Sequence, residues 1–399
     1  MEQVSLGKGI YWVGVHDHQT DLFEGLWPVQ EEGVSYNSYL ISSQKTALID
    51  LVKQPFAGSY LDALRGKVDL SRLEYVVLNH MEPDHTSALR DLVQTAPQVK
   101  ILVSEKARSM VESYYGLQDS VQVVKDGEEI SLGEHTLRFV YTPFVHWPET
   151  MMTYVPENEI LFSCDAFGGF GAQDGIILDD QPEDLDWYLD EALRYFANIV
   201  SGVSKPVLNA INKLAGVPVK IVAPSHGLVW RKDPAKIIDL YAKWSGYSSQ
   251  PAEKGITILC GSMYGSTAQL VKAVEDGIAS TSVAFKTFDA ARTHASYILP
   301  WLWKNRGVVV ASPTYEGYLV PPIRNLLEIA SHKRMFNKSA VYTGSFTWGG
   351  GARRDIESYV EQLKWNLAAS YDYPGYPGEA HMEIGHRLGA ELAKQVLQD

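Results

Sequence analysis

The sequence predicts an α/β chain in two domains, the second of them a doubly wound parallel sheet. Three observations carry this. At 399 residues the chain is too long for one ordinary core. Its first half is a series of short apolar runs, several of which end on a His, Asp or Glu. Its second half alternates apolar runs with helical stretches, the pattern of parallel strands joined by helical crossovers.

The elements follow in order. Gly9–Gly14, Ser38–Ile41 and Thr46–Asp50 read as strands joined by turns. Between the first two lie His16-Asp-His18, either a metal-binding pair or a solvated turn, and an aromatic loop. Phe23, Trp27 and Tyr36 there are either pocket walls or core packing. A helix over Ser59–Lys67 leads to the strand Leu73–Leu78. A helix over Thr86–Thr95, a strand at Lys100–Val103 and a helix over Lys106–Tyr115 come next. Strands around Val121–Val124, Ile130–Leu132 and Thr136–Tyr141 complete that stretch, and Glu159–Ser163 and Val219–Ala223 are two further strands.

Chemistry concentrates just beyond these strands. The strand Leu73–Leu78 is followed by His80-Met-Glu82-Pro-Asp84-His85, in which four groups able to bind metal fall within six residues. Pro83 removes a donor and biases Glu82 to extended geometry, so an extended or turning chain is expected here rather than a regular helix. Clustered His and carboxylates signal a site where a lone His does not. The same placement recurs at His146, at Asp165 and at Ser225-His226-Gly227. Four strand ends thus deliver seven ligand-type side chains to loops on one edge of a sheet scaffold.

In the second half, Gly255–Cys260 is a buried strand and Gly261–Thr267 a loop rich in glycine and hydroxyls, opening a helix over Ala268–Ala279. The loop is neither Walker A nor G-x-G-x-x-G. Its amides, hydroxyls and helix N-terminus suit a phosphate monoester without a cationic side chain. The strand Gly307–Ser312 leads to Pro313–Tyr318, and Ser339–Thr343 leads to Gly344–Gly351. Helices are expected at Pro322–Ser331 and Arg353–Ala369, and Tyr371–Pro377 is short for a last strand. The polar stretch Ser248–Lys254 serves as a linker, so the domains are expected to span 1–250 and 251–399.

Composition bounds the function. Hydrophobic and charged contents of 45% and 21% belong to a soluble globular protein. A net charge of −13 argues against a nucleic-acid partner. Cys164 and Cys260 form no C-x-x-C pair, as expected in a reducing compartment. No apolar leader opens the chain and no run of about 18 apolar residues occurs, so a cytoplasmic protein without a membrane partner is expected.

The order His-x-Glu-x-Asp-His, then His, then Asp, then Ser-His-Gly resembles the flavodiiron proteins (A-type flavoproteins). The resemblance implies an N-terminal αββα metallo-β-lactamase-like sandwich and a C-terminal flavodoxin-like sheet. Hydrolases of the first fold carry a His where this chain has Glu82, and a carboxylate is the harder ligand, which suits iron. By resemblance, His80, Glu82 and His146 hold one iron. Asp84, His85 and His226 hold the other, and Asp165 bridges them. A second bridge between the irons would be an oxo or hydroxo group, and three carboxylates with a hydroxide there would balance the four charges of a diferrous pair. Ser262, Met263, Tyr264, Gly265, Ser266 and Thr267 would bind the FMN phosphate. Pro313, Thr314, Tyr315, Glu316 and Gly317 would flank the isoalloxazine ring on one side. Ser345, Phe346, Thr347, Trp348, Gly349 and Gly350 would flank the other, with Tyr315 or Trp348 stacking on it.

The implied activity is reduction of O2 to water or of NO to N2O, with FMN passing on electrons from an external donor. Rubredoxin, a reduced deazaflavin or another flavoprotein could fill that role, since no C-x-x-C follows residue 351 to mark a fused rubredoxin. The family also implies a head-to-tail homodimer, or a dimer of dimers, that brings one chain's FMN to the other's irons. The chain departs from some relatives at Gly169-Phe-Gly171, where they place a His. Two rivals are a binuclear zinc hydrolase fused to a flavodoxin module, which Glu82 opposes, and an FMN-only electron carrier, which leaves seven ligand-type residues unexplained.

Overall fold

A computed structural model of the chain describes residues 4–398. They form two compact units, one running to Lys243 and the other starting at Trp244. In the first, seven strands pair in the order Val4–Gly7, Ile10–Trp12, Tyr39–Ile41, Thr46–Ile49, Leu73–Val77, Lys100–Val103 and Val121–Val123. Pairing is antiparallel up to Thr46–Ile49 and parallel from there on. A second sheet runs Glu129–Ser131, Thr136–Tyr141, Met151–Val155, Ile160–Cys164 and Ile221–Pro224, with only its last pair parallel.

The inner faces of the two sheets share one core. Ile10, Trp12, Tyr39, Ile49 and Val77 from the first pack with Phe139, Met151, Phe162 and Ala223 from the second. Strand alternation presents every second residue to this layer. The result is the expected αββα sandwich, with the sequence-picked His and Asp residues just past the carboxyl ends of its strands.

The main sheet of the second unit has five strands, all parallel, in the order Ala284–Asp289, Glu253–Cys260, Asn305–Ala311, Ser339–Phe346 and Asn366–Pro374. Numbered along the chain this is 2-1-3-4-5, the flavodoxin-like order whose switch point lies between the first and third strands. The polar stretch Ser248–Lys254 packs with this unit, since both Nε and Nη2 of Arg306 donate to the Ala252 carbonyl at 2.9 and 2.6 Å.

Some elements differ from the sequence reading. A short helix, Pro83–Thr86, does form in the central motif, with Glu82 extended at its N-cap. Proline is tolerated there because the first helical N–H needs no partner. The helix expected over Arg353–Ala369 spans only Ala352–Leu363 and stops at Lys364, whose φ is +54°. Residues 366–374 then make the fifth strand. The long helix Glu379–Gln398 lies against Ser266–Ala279 with backbones touching. A Cβ on Gly277 would come within 1.9 Å of the His386 carbonyl, and one on Gly389 within 2.1 Å of the Val274 carbonyl.

Lys338 is buried, and its Nζ donates to the carbonyls of Asn305 at 2.7 Å and Trp303 at 3.3 Å. Burial pulls its pKa from 10.5 down to about 7. The unfolded chain therefore binds more protons than the folded one between those two values. The folding penalty is full below about pH 7 and fades as the pH rises toward 10.5. In urea unfolding between pH 7 and 9.5, the parent should gain on Lys338→Met by up to about 1.4 kcal/mol per pH unit. Parallel pH curves for the two proteins would contradict this.

Candidate functional site

The seven ligand-type residues of the first unit converge on one pocket. His80 and Glu82 follow the strand Leu73–Val77, and Asp84 and His85 lie in the short helix. His146 follows Thr136–Tyr141, Asp165 follows Ile160–Cys164, and His226 follows Ile221–Pro224. His80, His85, Asp165 and His226 are buried.

Asp165 stands at the centre, and its two oxygens face different partners. Its Oδ2 lies 3.0 Å from His146 Nε2 and 3.5 Å from His80 Nε2. Glu82 Oε2 joins the same two rings at 3.1 and 3.2 Å. Asp165 Oδ1 lies 2.9 Å from His85 Nε2 and 3.5 Å from His226 Nε2. Asp84 completes that side, with Oδ2 at 3.3 Å from His226 and Oδ1 at 3.5 Å from His85. Donor atoms bound about 2.1 Å from one ion sit about 3.0–3.5 Å from each other. Each half of the pocket thus has the spacing of a coordination sphere, and both halves form ligand-atom groups tight enough for a metal ion.

Two further observations fit the pocket to cations. Asp84 Oδ1 and Oδ2, His85 Nε2, Asp165 Oδ2 and His226 Nε2 are buried without a hydrogen bond. Buried polar atoms without partners are costly unless something else satisfies them. The local field is also strongly negative. Burial opposes charge on His80, His85 and His146, yet the surrounding carboxylates outweigh it, raising their pKa values to about 9, 10 and 10. In turn, despite burial, the imidazoles hold the Glu82 and Asp165 carboxyls well below the usual carboxylate range. Four imidazoles and three carboxylates, with no thiolate among them, suit iron better than a soft, thiolate-preferring metal.

A second layer orients these ligands. His80 Nδ1 bonds Glu149 Oε1 at 2.7 Å, and that carboxylate oxygen also accepts from the Met81 amide at 3.0 Å. His226 Nδ1 bonds the Ser35 carbonyl at 2.7 Å. Such partners fix ring orientation and leave Nε2 for the metal. Under the pocket, buried Asp50 accepts from the Asn79 amide and side chain at 2.8 and 3.0 Å, and Asn79 Oδ1 accepts from Thr153 at 2.8 Å. This bridge ties the two sheets together beneath the site. Neither Glu149 nor Asp50 was singled out from sequence. The only signal for Glu149 was its place in the loop that carries His146.

Phe23 and Tyr36 do reach the site, edge-on to the His226 ring at 5.2 and 5.8 Å. Trp27 instead donates to Glu24 Oε2 at 3.0 Å. His16 and His18 lie elsewhere, 3.7 and 3.3 Å from Asp174.

In the second unit, three loops beyond the strand ends enclose a cleft of about 700 Å³. All the sequence-picked flavin residues line it except Gly265 and Gly350, and Gly375 and Tyr376 are added. Gly265, at φ +91°, is the N-cap of the helix Ser266–Ala279. The helix N-terminus that follows borders the cleft, where Ser266 and Thr267 line it and Ala268 N–H donates to Ser262 Oγ at 3.3 Å, and such an end is a seat for an anion. Ser266 Oγ is committed to the Gly375 carbonyl at 2.6 Å, and Thr267 Oγ1 pairs with Ser345 Oγ at 3.1 Å. Tyr264 and Trp348 are 86% and 93% exposed, so each ring is available to stack on a planar ligand. The cleft fits a flavin mononucleotide in size, in its phosphate seat and in its aromatic rim.

A sandwich carrying a two-metal pocket, joined to a flavodoxin-like sheet carrying a phosphate-seating cleft, defines a metal- and flavin-dependent redox protein. Comparisons agree. The family described as ODP family beta lactamase matches residues 34–227. The anaerobic nitric oxide reductase flavorubredoxin of Shigella flexneri is 34% identical over 97% of this chain and 81% of its own length. The nitric oxide reductase of Moorella thermoacetica is 32% identical over 99% of each chain. Among solved structures, the rubredoxin oxygen:oxidoreductase of Desulfovibrio gigas superposes with a TM-score of 0.94 at 26% identity, covering 100% of this chain and 99% of its own. The flavodiiron protein of Giardia intestinalis does so with 0.94 at 28%, covering 100% and 97%. This chain belongs to the flavodiiron family and is an oxidoreductase, which sets the hydrolase reading aside.

Glu149→Gln keeps a hydrogen-bonding group but removes the charge behind His80. Metal loss to a chelator should become about 10–100-fold more favourable, read as iron remaining after dialysis. Ser262→Leu should crowd the mouth of the phosphate seat and lower bound flavin at least about tenfold, with metal content unchanged. Full flavin occupancy in that variant would place the phosphate elsewhere.

Proposed function

We propose that this protein takes electrons from a separate donor on FMN and uses them at a diiron centre to reduce NO to N2O or O2 to water. The observation that carries the reading is Asp165, whose two oxygens each face a separate set of His and carboxylate donors. His80, Glu82, His146 and Asp165 would hold one iron, and Asp84, His85, His226 and Asp165 the other. The cleft between Ser262–Thr267, Pro313–Gly317 and Ser345–Gly350 would hold FMN. The relatives named as nitric oxide reductases support the NO reaction, and the Desulfovibrio gigas enzyme supports the O2 reaction.

When bound, the iron pair supplies open coordination positions and reversible one-electron changes, and FMN supplies the conversion between donor and iron. The chain does the rest. Glu82, Asp84 and Asp165 bring three negative charges against the four of a diferrous pair, so little net charge is buried. Glu149 and the Ser35 carbonyl hold two imidazoles in their ligand tautomers. Phe23 and Tyr36 give the pocket a dry wall beside His226. In the second unit the helix N-terminus anchors the phosphate, and the exposed aromatic rim meets the ring.

The balances are 2 NO + 2 electrons + 2 protons to N2O + H2O, and O2 + 4 electrons + 4 protons to 2 H2O. The donor is a rubredoxin, a reduced deazaflavin or another flavoprotein. A head-to-tail homodimer in the cytoplasm would let one chain's flavin serve its partner's metals. No helix among the described residues is long and apolar enough to cross a membrane.

Purified protein should carry about two irons and one FMN per chain, by the donor count above. Glu82→His removes a charge and a hard ligand, so zinc should displace iron and gas consumption should fail while FMN stays reducible. Metal analysis paired with NO and O2 electrodes reads both. A zinc-loaded variant consuming either gas at the parent rate without peroxide would sink the proposal.

A further inference from the structure

One arginine outside the ligand set lies behind the aromatic wall beside the pocket. Phe23, Tyr195 and Tyr36 surround the His226 ring at 5.2, 5.6 and 5.8 Å. Phe170 backs this wall, edge-on to Phe23 at 5.4 Å and to Tyr195 at 5.2 Å. Behind Phe170 lies the guanidinium of Arg194, 4.7 Å from the ring centre. Arg194 is only 2% exposed.

Its contacts join two distant segments to its own helix. Nη1 donates to the Pro28 carbonyl at 2.8 Å, and Nη2 pairs with Glu32 Oε2 at 3.2 Å. Nε and Nη2 meet Glu191 Oε2 at 2.7 and 2.6 Å. The aromatic loop before Tyr36, the loop after Asp165 and the helix Leu185–Tyr195 therefore meet on one side chain. The first of these loops has little regular structure of its own. It holds two strands of two residues each, Leu22–Phe23 and Trp27–Pro28. Two amides tie it to the second loop, Gly171 to the Gly33 carbonyl at 3.0 Å and Ala172 to the Glu32 carbonyl at 2.9 Å.

A buried ion triad is a weak source of stability, because desolvating three charges offsets most of their attraction. Its other use is to fix a geometry that packing alone leaves loose. Arginine suits that use, since its planar fork reaches several acceptors at once and its face stacks on an aromatic ring. Here the fixed geometry is the position of Phe23 and Phe170 relative to a metal-binding imidazole.

We propose that Arg194 is a positioning residue that holds Phe23 and Phe170 against the His226 side of the pocket, keeping water out while gas is reduced. The inference rests on the flavodiiron reading above. With the wall intact, O2 takes up four electrons and four protons and leaves as two waters. With the wall loose, water displaces oxygen reduced by only two electrons and two protons, which leaves as H2O2.

The test compares the full-length, metal- and flavin-loaded protein with Arg194→Lys and Arg194→Met. Lysine keeps the charge but cannot reach three acceptors together. Should Arg194→Met fail to fold, Glu32→Gln removes one arm of the clamp more gently. Two quantities are read. Hydrogen exchange of the Gly33, Gly171 and Ala172 amides in the resting protein should quicken at least tenfold, with the strand Leu73–Val77 unchanged. The share of consumed O2 released as peroxide, with reduced rubredoxin as donor, should rise at least fivefold while iron content holds. Unchanged exchange overturns the clamp. Faster exchange with an unchanged peroxide share overturns its role in excluding water. A parent that consumes no O2 counts against the oxygen reaction instead, and the clamp is then judged on exchange alone.

Discussion

The constraint on which the first unit depends is the crowding of three carboxylates and four imidazoles, centred on Asp165, into one largely buried pocket. Like charges packed this closely repel, and each would cost several kcal/mol if buried alone. The fold tolerates the cluster because every member comes from a loop or short helix that follows a strand end. The loops cannot drift apart without disturbing the sandwich core. The Asp50–Asn79–Thr153 bridge beneath the pocket makes this explicit, since the same hydrogen bonds that join the sheets also set the floor of the site.

The second unit solves a different problem with the same layout. A phosphate needs amides and a helix dipole, while a flavin ring needs aromatic faces. Both lie beyond the carboxyl ends of parallel strands, where strand order reverses and the loops diverge to leave a crevice. In each unit a rigid sheet carries the chemistry on loops, so function is separated from the packing that pays for it.

The ligands were legible because four of them fall within six residues and the others follow closely on apolar strand runs, and both are local patterns. The supporting residues were not. Glu149 meets His80 across 69 positions, and a single glutamate after a proline carries no pattern of its own. Arg194 and Asp50 are likewise defined by partners far away in the chain. The misread helix end has a similar origin. The start of Asn366–Pro374, Asn-Leu-Ala-Ala, has weak strand propensity, and it becomes a strand because Ser339–Phe346 pairs with it in parallel. The edge strand Ala284–Asp289 was missed because its outward residues are exposed and it lacks a buried run. The short helix at Pro83 shows the reverse, a local rule applied one residue too far: proline forbids a helix interior but opens a helix well.

The crossing of Gly277 and Gly389 bears on how tolerance to change should be interpreted in this protein. Both positions lie where helix backbones touch, so any side chain there forces the helices apart and loosens the second unit. In a saturation screen for activity they would score as severely as the proposed metal ligands. Yet they contact no cofactor and perform no chemistry. Intolerance alone would thus draw a map of this protein with two false active-site landmarks, and only a separate readout of folding would erase them.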